Sequence, residues 1–520
     1  MPALKSSASS LRSSSKELAG GGLLLALLLA AISAAALWWS AAHGYTLYYG
    51  DAEAHLNSAR RVVDSRTPGP EQLGTVWLPL PHLLMLPLVL HDHWWRSGLA
   101  GSVPSAACFI AAGSFLFAGA RRLYTSTAAG WTAALLFALN PNMLYLQSTP
   151  LTEAEFAAGL AALLWATVWY RDSQSGWAML CAAAASNAAS LTRYEGWFLI
   201  PFVTLYFLLT ARRKSHALVF AILAVLGPLA WLAHNQYYYS NALEFYDGDF
   251  SAQAIYARQM AAGIARYPGD HNWRQAIEYY FAAIQLTAGW PLVALGALGA
   301  AAALAKRIWW PLLLLALPPA FYVWSIHSSG TPLYVPTLWP NSWYNTRYAL
   351  AALPLAVLAA AAVVAVLPIR VQTAGAAVIV LGTSVPWVFG AAPVCWKESA
   401  QNSVGRRAWT REAAAYLAAN YQPGDGIIYS FGDLTGVLRE AGIPLREGLH
   451  QGNRPAWDAA VLRPDLFFRE QWALAVAGDK VSRAVLSVRG RGLHYELKKQ
   501  IIVEGSPAIE IYQRQWSRFP

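Results

Sequence analysis

Tyr48-Tyr49-Gly50-Asp51-Ala52-Glu53-Ala54-His55, with Arg60 and Arg61 close behind, follows directly on an apolar run from about Gly20 to Ala42. Two carboxylates and an imidazole thus stand where a bilayer-length segment ends, and ionisable groups at a membrane edge need a reason to be there. The run can cross a bilayer as helix, which takes roughly 20 residues. Lys5, Arg12 and Lys16 precede it, and its length predicts an uncleaved first helix rather than a signal peptide. That basic flank places a tail, residues 1–19, in the cytoplasm and His43 onward outside.

With 520 residues, 56% of them hydrophobic and only 13% charged, the composition is that of a polytopic α-helical membrane protein rather than a soluble domain. The net charge of +10 does not indicate nucleic-acid binding. Most basic residues sit in short clusters between apolar runs or are scattered through a polar C-terminal region, as orientation by the positive-inside rule requires. The 24 Trp and 25 Tyr fit interfacial belts and sugar-stacking surfaces. Cys108, Cys181 and Cys395 lie in or at the end of apolar runs, with no metal or disulfide spacing, and read as structural filler.

After a polar loop to about Thr75 comes a short piece, Val76–Leu90, and a second long run, about Leu99–Ala120, closed by Arg121 and Arg122. Only an odd number of crossings joins an outside loop to a cytoplasmic Arg pair, so the Pro-rich Trp77-Leu78-Pro79-Leu80-Pro81-His82 piece reads as interfacial or re-entrant. Further spans are expected at about 128–147, 153–170, 177–191, 196–211, 216–234, 284–305, 308–326, 347–367 and 374–393. Arg171, Arg212-Arg213-Lys214, Lys306-Arg307 and Arg370 then fall in the cytoplasm. This gives about eleven spans, a membrane domain over 20–397 whose first outer loop is 43–98, and a C-terminal region, 398–520, outside. That region reads as a small extracytoplasmic α/β domain, with helices at 406–420 and 433–441 and strands at 426–431, 494–497, 501–503 and 508–512. It has no Gly-rich phosphate loop, which leaves it a supporting or acceptor-binding role.

Asp51, Glu53 and His55 share one face if extended; if helical, Asp51 and His55 align at i,i+4 and Glu53 turns away. The competing reading is a helix N-terminus with an acidic first turn. Glu153 and Glu155, in Leu151-Thr152-Glu153-Ala154-Glu155, open a later span on the same side as Asp51. A charge sunk into hydrocarbon costs on the order of 2.5–3.5 kcal/mol, so such groups face a polar cavity. Arg193-Tyr194 and Arg347-Tyr348 each place an arginine at an outer edge, against the positive-inside bias. Arginine suits bidentate phosphate contact; the alternative is pairing with Glu195 or reaching to head groups. Arg60, Arg61 and His82 are lesser phosphate candidates. No spacing argues for a metal site of His55, His82, Asp51 and Glu153, and no cofactor is required, although a divalent cation is compatible with the acidic groups.

Taken together, these motifs resemble the GT-C superfamily of membrane glycosyltransferases, in its branch of protein O-mannosyltransferases and aminoarabinose transferases. The resemblance rests on Asp51-x-Glu53, the Pro-rich piece at Trp77–His82, Arg121-Arg122, Leu151-Thr152-Glu153, Leu191-Thr192-Arg193-Tyr194-Glu195-Gly196-Trp197 and Arg347-Tyr348. It implies a bacterial inner-membrane enzyme. That enzyme moves a sugar from a polyprenyl-phosphate donor to a hydroxyl on a lipid, glycan or protein at the outer face, with inversion. The resemblance makes Asp51 the general base, with Glu53 or Glu153 assisting, and Arg193 and Arg347 stabilisers of the leaving phosphate. His55, Arg60, His82, Tyr194 and Tyr348 would contact substrate. The rivals are a transporter or flippase of lipid-linked glycans and a non-catalytic glycan-binding relative. A transporter is expected to carry paired repeats or charges near the bilayer midplane, whereas here the polar groups gather at one face.

Overall fold

The computed structural model describes residues 3–390, 392–488 and 494–515; parts of the expected C-terminal domain, 489–493 and 516–520, lie outside them. The chain divides into two compact units. The first comprises Met1–Ala42, Val103–Ser148 and Thr152–Glu398, and the second His43–Ser102, Thr149–Leu151 and Ser399–Pro520.

The first unit is helical. Six helices among the described residues are long and apolar enough to cross a membrane, including Gly21–Ala42, Leu99–Tyr124, Ser215–Tyr239 and Trp310–His327. The run expected at 128–147 is two helices, Thr127–Ala138 and Pro141–Leu146. Pro141 cannot continue a helix but suits its first position, and the Asn140 side chain caps the new one by accepting from Met143 N at 3.0 Å. The span expected at 284–305 is the helix Trp290–Ala305 preceded by the end of Trp273–Ala288, the two bent by 108° at Gly289. The Trp290–Ala305 helix packs closely on Leu353–Val366, where a Cβ on Gly299 would stand 1.8 Å from the Ala359 carbonyl oxygen. Small residues permit such backbone approach between apolar helices, where packing is the main attraction.

Gly176–Ser190 and Glu195–Thr210 form a helical hairpin over the spans expected at 177–191 and 196–211. Its turn is tight because Gly196 lies against Ala189 and Ser190; a Cβ there would come within 2.5 Å of their backbone. This turn carries Arg193. Tyr279, Tyr280, Tyr322, Val335 and Ala349 form a buried cluster beside it.

In the second unit a five-stranded sheet has the order β2-β1-β3-β5-β4, with β1 Ile427–Tyr429, β2 Gly448–Leu449, β3 Trp472–Val476, β4 His494–Ile501 and β5 Ile509–Gln515. β1 runs parallel to β2 and β3, while β5 runs antiparallel to β3 and β4. The separate segments expected at 494–497 and 501–503 are one strand through Ile501, because a register shift between Leu497 and Lys499 interrupts the alternation. β3, Trp472-Ala473-Leu474-Ala475-Val476, was not anticipated: it is buried on both faces and has no alternation to detect.

The first loop belongs to this core. Leu56 and Ala59 of the helix Gly50–Val63, and Met85 and Val89 of the helix Pro79–Val89, pack with Trp409, Leu417, Ile427, Trp472 and Ile511. Pro79–Val89 has 11 residues, about 16 Å of helix at 1.5 Å each, well short of a hydrocarbon core of about 30 Å.

Candidate active site

Glu153 begins the helix Glu153–Ser173, and two distant arginines meet it within the first unit. Its Oε1 lies 3.3 Å from Arg193 Nη1 and 3.2 Å from Arg347 Nε. Arg193 also donates to Thr152 Oγ1 at 2.8 Å, to Glu195 Oε1 at 2.8 Å and to the Tyr322 hydroxyl at 2.5 Å. Tyr322 in turn donates to Glu195. The Tyr348 ring lies between the two cations, 4.9 Å from Arg193 Cζ and 5.1 Å from Arg347 Cζ, in cation–π range. Burial works against the Arg193 charge, but Glu195, then Tyr322 and Glu153, outweigh it and raise its pKa. Glu153, Arg193, Glu195, Tyr322, Arg347 and Tyr348 line one cavity. The second Glu153 oxygen and both Glu155 oxygens are buried without a hydrogen-bond partner among the described residues.

Arg347 follows Asn345, whose φ of +59° places it in the left-handed region. Glu398 holds this turn: its carboxylate accepts from Asn345 N at 3.0 Å, Thr346 N at 2.8 Å and Thr346 Oγ1 at 2.5 Å. Tyr194 is engaged elsewhere, accepting from Trp231 Nε1 at 3.3 Å and stacking on Phe245 at 4.9 Å.

In the second unit the opening motif is helical. Tyr49 is the N-cap and makes no side-chain cap bond, so Asp51 is a first-turn residue rather than the cap. Glu53 is buried and both its oxygens are occupied, Oε2 by Arg406 and Oε1 by Arg439 Nε and Nη2 at 3.1 and 3.0 Å. Arg60 is likewise committed inside this unit, to Asp64 at 2.8 Å, Val89 O at 2.5 Å and Asp92 at 2.7 Å. Arg61 donates to Gln72 O and lies 4.2 Å over the Phe431 ring. His55 Nδ1 and His82 Nε2 are 2.9 Å apart, and His55 stacks on Trp77 at 4.1 Å. Burial, then the charges of His55 and Arg61, pushes the His82 pKa well down. Among the described residues no group of three or more His, Cys, Asp or Glu is arranged for a metal ion.

The Arg-Tyr pairs and Glu153 were legible as candidates. Tyr322 and Glu398 were not singled out, although a phenol inside the apolar run after Pro318-Pro319 is itself a polar signal.

No protein-family model matches the sequence, and no curated protein matches it. Solved structures do. ArnT from Cupriavidus metallidurans bound to undecaprenyl phosphate aligns over 93% of this chain and 97% of its own, with TM-score 0.58 and 14% identity. The chain shares the fold of that structure. Apo ArnT aligns over 89% of this chain and 92% of its own, with TM-score 0.52 and 14% identity. The Archaeoglobus fulgidus oligosaccharyltransferase aligns over 96% of this chain and 75% of its own, with TM-score 0.52 and 11% identity. The fold is thus shared at 11–14% identity, without close sequence likeness.

Proposed function

We propose that this protein is a glycosyltransferase of GT-C type that moves a hexosyl or pentosyl group from a polyprenyl-phosphate donor to a hydroxyl acceptor at the outer face of the membrane. The observation that carries the reading is the pair of arginines, buried Arg347 and half-buried Arg193, that meet at Glu153 in the first unit. The undecaprenyl phosphate bound to the ArnT structure supports a lipid phosphate as their ligand.

In the proposed reaction an acceptor oxygen attacks the anomeric carbon as the bond to the phosphate oxygen breaks, and the polyprenyl phosphate leaves with the electron pair. Asp51 takes the acceptor proton, a role that contributes typically 10²–10⁴-fold. Arg193 and Arg347 meet the charge gathering on the leaving phosphate. Glu153, Tyr322 and Tyr348 hold the guanidinium groups in place, and Glu398 holds the turn before Arg347. The commitment of Glu53 to Arg406 and Arg439 favours a bracing role for it. A single displacement needs no covalent intermediate.

The test is transfer from radiolabelled polyprenyl-phosphate sugars by purified protein in liposomes. Loss of transfer in Asp51→Asn and Arg347→Ala supports the assignment. Full activity in both overturns it, and lipid scrambling without transfer favours the transporter reading.

A further inference from the structure

The sheet of the second unit contains a crevice that the mechanism above does not use. From β1 the chain moves to β2 on one side and then to β3 on the other, so its direction reverses between β1 and β3. In open α/β sheets ligands bind outside the carboxyl ends of the strands at such a reversal. A cavity of about 380 Å³ lies there, lined by Ser430, Phe431 and Asp433 just after β1 and by Val476 at the end of β3. That volume is within the range of small-ligand sites.

Its floor is braced. Ser430 Oγ donates to Asp479 Oδ2 at 2.9 Å, and Asp479 also accepts from Val476 N at 3.3 Å and Ser482 N at 2.7 Å. Its lining pairs apolar walls, Phe431 and Leu434, with the polar groups of Asn402, Asp433 and Ser506. Arg406 also lines it, but already holds Glu53 and the carbonyl oxygens of Leu47 and Tyr48. A carboxylate beside a committed cation disfavours an anionic ligand. An aromatic wall with hydroxyl, amide and carboxylate groups suits a sugar ring, which has both apolar faces and hydroxyl edges.

Two of its lining residues, Asp433 and Arg406, stand beside the start of the Gly50–Val63 helix. A Cβ on Gly50 would stand 3.6 Å from Asp433 Oδ1 and 3.9 Å from Arg406 Nε, and Asp51 is the next residue.

We propose that the crevice at the ends of β1 and β3 is the acceptor subsite and holds a neutral sugar residue of a glycan acceptor beside Asp51. This rests on the glycosyltransferase reading, but its test does not require turnover. Saturation-transfer NMR on the full-length protein in detergent uses the methyl glycosides of glucose, galactose and mannose and N-acetylglucosamine. At least one should bind, and binding should weaken at least tenfold in Asn402→Trp and in Pro507→Trp, which fill the mouth from different segments. Both variants should keep the wild-type unfolding temperature. Binding of none of these sugars to the wild type, or equal binding to both variants, overturns the subsite. Wild-type rates of transfer to a peptide or lipid hydroxyl in both variants also overturn it. Consumption of the polyprenyl-phosphate sugar by the wild type is measured separately, so failure of the subsite is distinguished from failure of the enzyme reading.

Discussion

Arg347 Nε stands 3.2 Å from Glu153 Oε1, although one residue opens a late span and the other an early one. Arg193 approaches the same oxygen at 3.3 Å. Neither cation could be placed so near the other without the carboxylate between them.

Arg347→Ala should lower kcat/KM for sugar transfer by about 10²–10³, the usual loss when one preorganised donor to a developing charge is removed. Arg347→Lys should recover little of it. A lysine has no planar fork to divide between Glu153 and a phosphate, and it stacks less well on Tyr348. Transfer kinetics in liposomes with both variants decide this.

Asp51 and Glu53 should separate cleanly. Asp51→Asn should reduce transfer by roughly 10²–10⁴. Glu53→Ala leaves Arg406 and Arg439 without their shared partner, and losing one member of a buried ion pair costs about 3–5 kcal/mol. A marked drop in its unfolding temperature in detergent is expected; equal stability of the two variants would contradict the roles.

Acid should weaken the second unit through His450. Burial, then Arg61 and Arg66, hold its pKa well below the ordinary 6.5. The unfolded chain therefore takes up a proton below about pH 6.5 that the folded one refuses, so stability is complete above that value and falls as the pH drops toward the depressed pKa. His450 Nδ1 accepts from Gly452 N at 3.0 Å. His450→Asn keeps an acceptor there without a titrating ring. Its unfolding temperature should fall less than the wild type's between pH 7 and pH 5.

Gly299→Val should destabilise the first unit by about 1–3 kcal/mol, as overpacking does, because its Cβ meets the Ala359 carbonyl. Gly21→Val, on a surface with nothing within 4 Å, is the control. Chemical denaturation of the two variants in detergent compares them.

Much of this was legible in the sequence because membranes impose simple rules. Apolar length marked many of the helices, the short Pro-rich piece is an 11-residue helix, and the two Arg-Tyr pairs marked the arginines that meet Glu153. Three kinds of feature escaped. The break before Pro141 and the bend at Gly289 change direction without changing hydropathy. β3 is buried on both faces and lacks period-2 alternation. Glu398 acts on Asn345 and Thr346 from far along the chain, and no local pattern encodes such a partner. Likewise nothing near Asp51-x-Glu53 in the sequence announces the distant Arg406 and Arg439 that hold Glu53.

The second unit also sets a timetable. Its shared core joins Leu56, Met85 and Val89 to Trp409, Ile427 and Trp472, yet residues 103–398 must be synthesised between these two groups. At roughly 5–20 residues per second that interval is on the order of 15–60 s. Throughout it the early segment displays apolar side chains whose partners do not yet exist. A ribosome stalled before residue 399 should therefore leave residues 43–102 open to protease, and completion of the chain should close them.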